Sequence, residues 1–405
     1  MLKTIKAPHI YLPRKGVDMS KYAVIACDQY TSNLPYWDSL KEYVGNEVST
    51  FHMIYPEAYL ETTNNDEYIK NINNNISHYL ANNDLKDIGE CFILVERITS
   101  FGVKRLGLVL SIDLEDYSYI KGSNANIKAS EATIVERIPP RLKIRENAPI
   151  ELPHILVLFD DKEKNIVEEL YSSRDKLEKV YDFELNKDGG HIRGYKVSNT
   201  SEVISKFNDL YNKNKSGLLF IVGDGNHSLA TAKAHWDKIK VNLTEEERLS
   251  HPARYALVEA NNLYDEGIIF EPIHRVLFNI NDEFVNELKK ISKGEFKSFI
   301  YTKKDKKMEF CMDKNAPMAY KTIQSFLDEY MSKHPEMKID FIHDEDELIK
   351  VSEENPSSLA IAMPALTKDD LFNYIALDLV LPRKSFSMGH ANEKRYYLEA
   401  KKIIK

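Results

Sequence analysis

Cysteine is scarce in this chain: Cys27, Cys91 and Cys311 stand far apart and form no CxxC pair. That excludes a disulfide framework and a zinc ribbon, and it suits a reducing compartment. The histidines lack HxxxH and HExxH spacing, so zinc is not expected, and neither is haem or flavin. A GxSxG elbow and a GxxxxGK[ST] loop are also missing. No apolar run reaches the roughly 18 residues that cross a bilayer. Long apolar runs such as 155–159 and 218–222 have the length of core strands, and residues 1–15 mix lysines with Pro8 and Pro13 where a secretory signal would be apolar. Positive charge is not in excess: 55 basic against 63 acidic residues give −8, which argues against nucleic acid held by a general field. The expectation is a cytoplasmic protein with neither a membrane nor a nucleic-acid partner.

What is present is material for a large fold. At 405 residues the chain exceeds the roughly 250–300 at which one core stops growing, and 43% of it is apolar. Its pattern predicts a mixed α/β (α+β) fold. A buried strand over 22–27 ends at Asp28, a helix follows Pro35, and Ile69, Ile72, Ile76, Tyr79 and Leu80 recur with helical period. Hairpins are expected over 91–98 with 103–114, and over 183–187 with 191–197; a strand over 153–159 leads into a charged helix over 162–179. A helix over 201–213, a strand over 218–222, a further helix and a strand over 254–259 complete the first lobe, 1–280. Residues 281–380 alternate helices (283–291, 320–333, 345–352, 367–378) with strands (299–301, 339–342, 359–362) and read as a smaller α/β lobe. The segment 381–405 is set apart as a C-terminal piece that can pack back on the core; within it the dense polar stretch 388–397 either folds back on the active lobe or solvates the last helix, the latter being favoured.

Three segments carry candidate chemistry. Strand 218–222 runs into Gly223-Asp224-Gly225-Asn226-His227-Ser228 and then a helix, an order that presents backbone N–H groups to an anion. The glycines allow close approach, Asn226 suits an N-cap, and His227 and Ser228 point out of the first turn. The plain alternative is a well-capped turn facing water. Next, Arg137, Arg141, Lys143 and Arg145 follow Glu131; Pro139-Pro140 argues against one regular helix, so an extended segment could fork its guanidinium groups onto a phosphate. A solvated edge strand is the equal alternative. Last, His274-Arg275 after Pro272 falls at a strand end, either for binding or as a packed His beside a surface Arg. Asp28, just past a buried strand, occupies a place where open α/β sheets often bind ligands.

The stretches VIACDQYTSNLPYW (24–37), SEATIVERIPPRLKIRENAPIELPHI (130–155), IVGDGNHSLATAKAHW (221–236), EPIHRVLF (271–278), AMPALTKDDLF (362–372) and LPRKSFSMGHANEKRYYLEAKKI (381–403) resemble the family called domain of unknown function 1015. That family is distantly similar to the ParB and sulfiredoxin-like superfamily, which includes a free-serine kinase. The resemblance implies a nucleotide-binding core elaborated with additional sheets, in which a DGHHR-like turn cradles phosphates. Asp224, Gly225 and His227 match that turn; Asn226 and Ser228 depart from it, and Ser228 replaces the arginine. The expected function is phosphoryl transfer to a small hydroxylated metabolite, serine or phosphoserine first. The phosphate would sit on 223–228, with His227 hydrogen-bonding one of its oxygens as a catalytic residue and Arg137, Arg141, Arg145, His274 or Arg275 supplying charge. Asp28, Asp224 or Glu131 would act as base or hold Mg²⁺ beside ATP or ADP. Alternatives are a nucleotide-binding regulatory protein, a phosphoserine phosphatase and a non-enzymatic scaffold. The expected partner is a phosphorylated small molecule, and a homodimer is compatible with the sequence.

Overall fold

A computed structural model describes residues 3–60, 65–214, 216–303, 307–313, 315–377 and 379–405, and only the backbone of residues 137, 282 and 312. The chain divides into two compact units, residues 1–129, 133–268 and 390–405 in the first and 130–132 with 269–389 in the second. Among the described residues, no helix is long and apolar enough to cross a membrane.

The first unit is built on a ten-stranded mixed sheet. In chain order its strands are β1 (Ile5–Lys6), β2 (Phe92–Ile98), β3 (Lys104–Asp113), β4 (Tyr117–Ser118), β5 (Ile127–Ala129), β6 (Leu156–Phe159), β7 (Glu178–Leu185), β8 (Gly190–Val197), β9 (Phe220–Asp224) and β10 (Tyr255–Asn262). Their spatial order is β7-β8-β2-β3-β10-β6-β9-β5-β4, with β1 also paired to β3. The central strands are apolar on both faces because both faces are covered. Along β2, Ile93 and Val95 join one core and Phe92 and Leu94 the other, as a period of two requires. Helices α1 (Leu34–Val44) and α2 (Asn65–Ala81) cover the first face with Trp37, Leu40, Ile69 and Ile72. After the short helix α3 (Ile138–Arg145), α4 (Thr200–Lys213) and α5 (Asn226–Lys240) cover the second face with Val203, Phe207, Leu229 and Trp236.

Two local expectations fail for physical reasons. Pro139 and Pro140 do not keep 137–145 extended. They lie in the first turn of α3, where missing N–H groups cost nothing and the fixed φ suits a helix. The helix expected over 162–179 shrinks to Val167–Ser172, because the Asp161 carboxylate accepts the N–H groups of Asn165 and Ile166 and holds a turn, while 178 onward joins β7.

The second unit carries a five-stranded antiparallel sheet in the order Met308–Met312, Phe296–Tyr301, Ser358–Ala362, His274–Phe278, Lys338–Ile342. Helices Ala316–Lys333, Glu345–Glu354, Asp282–Lys290 and Lys368–Ala376 lie near the expected positions. The strand Met308–Met312 was not foreseen.

Candidate functional site

Strand register brings the first pair of side chains together. β6 and β9 run antiparallel with Leu156 opposite Asp224, so the residues leading into β6 lie beside the turn that leaves β9. Gly225 sits in that turn at φ 81°, and a Cβ there would come within 3.0 Å of Ile155 Cα. Both facts demand glycine. The close approach it permits is to the neighbouring main chain. α5 begins at Asn226, so the N-cap is Gly225 and not Asn226 as expected, and in the first turn Ser228 Oγ lies 2.7 Å from His154 Nε2.

A distant segment supplies the other side of His154. Tyr396 and Tyr397 pair antiparallel with Ile25 and Val24, and Ala26 donates its N–H to Arg395 O. Tyr397 OH thereby reaches His154 Nδ1 at 2.9 Å and donates to Cys27 Sγ at 3.1 Å, while accepting the Cys27 N–H at 3.2 Å. The strand Val24–Ile25 also delivers Asp28, whose Oδ2 stands 3.8 Å from His154 Nε2. Lys394 Nζ approaches Asp224 Oδ2 at 3.1 Å, and the other oxygen of Asp224 accepts the Gly225 N–H at 2.9 Å. The segment 390–405 therefore packs on the first unit and reaches the site; it does not merely solvate a helix. Arg395 anchors it by ion pairs at 2.8 Å to buried Glu259 and Glu399.

Of these residues Cys27, Asp28, His154, Ser228 and Tyr397 face a cavity of about 190 Å³. Its polar wall holds Asp28, Glu57, Arg141, His154, Ser228 and Tyr397; its apolar wall includes Met53, Ile54, Ile72, Ile76 and Leu152. Glu57 donates its N–H to Cys27 O and pairs through its side chain with Arg141 of α3. Burial acts to raise the Asp28 carboxyl, but His154, Gln29 and Lys394 outweigh it and hold the group below its ordinary range. Burial raises the Glu57 carboxyl against the pull of Arg141. The Cys27 thiol is pushed up to about 12, chiefly by burial, and stays protonated at neutral pH. This wall thus combines an ionised carboxylate, an imidazole and a hydroxyl in the first turn of a fifteen-residue helix. Such a set can take a proton, hold an anion and offer an oxygen nucleophile.

The structure joins some of the expected residues and separates others. Asp28, Arg141, Arg145 and Ser228 line the cavity, and Gly223, Asp224, Gly225, Asn226 and His227 form the adjoining turn. His227 Nε2 accepts the Ile134 N–H at 3.2 Å, which ties the turn to the segment before α3. Arg145 pairs with Glu151. The side chain of Arg137 lies outside the described residues. Glu131, His274 and Arg275 belong to the second unit. There Glu131 accepts the N–H groups of Lys384 and Ser385 at 3.2 and 3.0 Å, and burial raises its carboxyl. His274 Nδ1 accepts the Met363 N–H at 2.9 Å, and the fully buried Arg275 donates to Ile273 O, Lys384 O and Gln324. Sequence reasoning missed His154, Tyr397, Lys394 and Glu57. The signal open to it for His154 was a polar residue after Pro153, just ahead of an apolar strand.

No three His, Cys, Asp or Glu side chains converge as a metal-binding group among the described residues. Magnesium carried by a nucleotide needs only one or two protein carboxylates, and Asp28 is of the right kind.

Fold and site thus define a mixed α/β protein with a strand–glycine–helix turn beside an acid–base cluster. Residues 11–345 match the family described as Protein of unknown function (DUF1015), and the chain belongs to that family. No curated protein sequence matches it. Solved structures to which it is similar include a conserved hypothetical protein from Pyrococcus furiosus, at 13% identity and TM-score 0.36 over 72% of this chain and 90% of that one. A free serine kinase in complex with AMP aligns at 11% identity and TM-score 0.39, over 73% and 91% of the two chains. SbnI with a C-terminal truncation, from Staphylococcus aureus, aligns at 9% identity and TM-score 0.37, over 69% and 81%. Overlap this shallow sets no residue equivalences, so the site is interpreted from its own geometry.

Proposed function

We propose that the chain is a phosphotransferase, moving a phosphoryl group between a nucleotide, ATP or ADP, and a small hydroxylated metabolite at the cavity beside α5. Serine and phosphoserine are the first substrates to test. The observation that carries this reading is the convergence of Asp28, His154 and Ser228 on one wall, at the start of a long helix. Phosphoryl transfer asks a protein mainly for positioning and for charge held where it develops. The backbone of 225–228 would receive the phosphate. Lys394, on Asp224 beside the turn, would supply a cation that the side chain at 228 cannot. Asp28 would accept the proton of the substrate hydroxyl, a role for which its ionised form is suited. His227 would hold the turn through Ile134. Mg²⁺ would enter with the nucleotide, and the carboxylates of this wall, Asp28 and Glu57, would be available to hold it.

The test is thermal stability and turnover with ATP or ADP, Mg²⁺, serine and phosphoserine. A ligand at 100 times its Kd should stabilise the fold by about 2.7 kcal/mol, and phosphoserine should accumulate in proportion to protein. Free phosphate released from phosphoserine without a nucleotide would instead identify the same wall as a phosphatase site. Stabilisation by none of these ligands, with no turnover, contradicts the proposal.

A further inference from the structure

Ser228, His154 and Tyr397 form a chain of contacts that simple binding does not require. The Tyr397 oxygen already accepts the Cys27 N–H and directs its own proton to Cys27 Sγ. Its remaining capacity is as an acceptor, and 2.9 Å away stands His154 Nδ1. With the proton on Nδ1, the lone pair of Nε2 falls on the Ser228 hydroxyl at 2.7 Å. Asp28 Oδ2, at 3.8 Å from Nε2, is placed to stabilise the imidazolium once it forms. A hydroxyl bonded to an imidazole whose other nitrogen is fixed by a third group is the arrangement of an activated nucleophile. Ser228 also stands in the first turn of α5, where developing negative charge is favoured.

From this geometry we infer that Ser228 is a covalent phosphoryl carrier, so that transfer proceeds in two steps through a phosphoserine on the enzyme. The inference rests on the phosphotransferase reading. In the first step Ser228 Oγ bonds to the terminal phosphorus of a nucleoside triphosphate, the bond to the bridging oxygen breaks, the nucleoside diphosphate leaves, and the hydroxyl proton passes to His154 Nε2. In the second step the metabolite hydroxyl attacks the same phosphorus and gives its proton to Asp28. The Ser228 oxygen departs and recovers its proton from His154. One proton is released to solvent per turnover, and the enzyme is regenerated. Tyr397 is a positioning residue that acts only through the His154 ring.

The experiment mixes the full chain with MgATP and no acceptor, then follows two signals: isotope exchange between labelled ADP and ATP, and a mass increase of one HPO₃ on the peptide holding Ser228. Both are expected in the native chain. Ser228→Ala should abolish both, and His154→Gln should slow exchange by roughly 10²–10⁴-fold, the usual weight of general acid–base catalysis. Exchange in the native chain needs no variant, so misfolding cannot mimic its absence. Should serine be phosphorylated while exchange is absent and Ser228→Ala keeps its rate, the carrier is refuted and direct transfer stands. Absence of exchange, labelling, nucleotide binding and turnover together overturns both the carrier and the phosphotransferase reading.

Discussion

The Tyr397 hydroxyl stands 2.9 Å from His154 Nδ1 across 243 residues of sequence. Removing that oxygen leaves the ring packed but releases the imidazole to choose its tautomer. Tyr397→Phe should lower turnover about tenfold or more, shift the acidic limb of the pH–rate profile, and leave nucleotide affinity unchanged. A merely structural hydroxyl would lower stability by about 1 kcal/mol and leave the profile in place. Steady-state rates from pH 5 to 9 separate the two.

Gly225 holds φ 81° with Ile155 Cα only 3.0 Å from where a Cβ would lie. Gly225→Ala should destabilise the first unit by about 1–2 kcal/mol from the backbone conformation alone, with more from the clash. Urea denaturation checks this; a midpoint equal to that of the native chain contradicts the local geometry.

Arg395, 4% exposed, lies between Glu259 and Glu399 at 2.8 Å from each. Arg395→Ala would leave two buried carboxylates without their shared cation. Breaking a buried pair in this way costs about 3–5 kcal/mol, and the loss should also free the segment bearing Lys394 and Tyr397. Hydrogen exchange at 394–400 is expected to rise with the loss of stability; unaltered protection there would contradict this anchoring role.

His235 is buried on α5, and burial, with Arg145 nearby, lowers its pKa to about 4. The unfolded chain therefore binds a proton near pH 6.5 that the folded chain refuses until about pH 4. Stability from this group is intact above pH 6.5, falls as pH drops toward 4, and levels off below. His235→Leu should flatten the stability–pH curve within that window, measured as denaturation midpoints. An unchanged slope contradicts it.

The legible part of this protein was local. The strand expected over 218–222 forms as β9 (Phe220–Asp224), because an unbroken apolar run ahead of a glycine turn and a helix marks a buried strand, and the hairpins β2–β3 and β7–β8 follow from turn residues between apolar runs. The site was only half legible, since its members meet through non-local pairing. His154 reaches Ser228 through the register of β6 on β9, and Tyr397 reaches His154 because 396–397 pairs with 24–25. No local spacing encodes either contact. Pro139-Pro140 misled in the opposite direction, because helix-breaking residues are tolerated in a first turn.

Asp28 is the carboxylate held ionised on the cavity wall, and its replacement by asparagine keeps size and polarity while removing the charge that would accept the hydroxyl proton. The measurement is the rate of ATP-dependent serine phosphorylation by the native chain and by Asp28→Asn, with nucleotide affinity recorded alongside. In Asp28→Asn nucleotide binding should be unchanged and the rate lower by roughly 10²–10⁴-fold. Equal rates in the two proteins would contradict Asp28 as the proton acceptor.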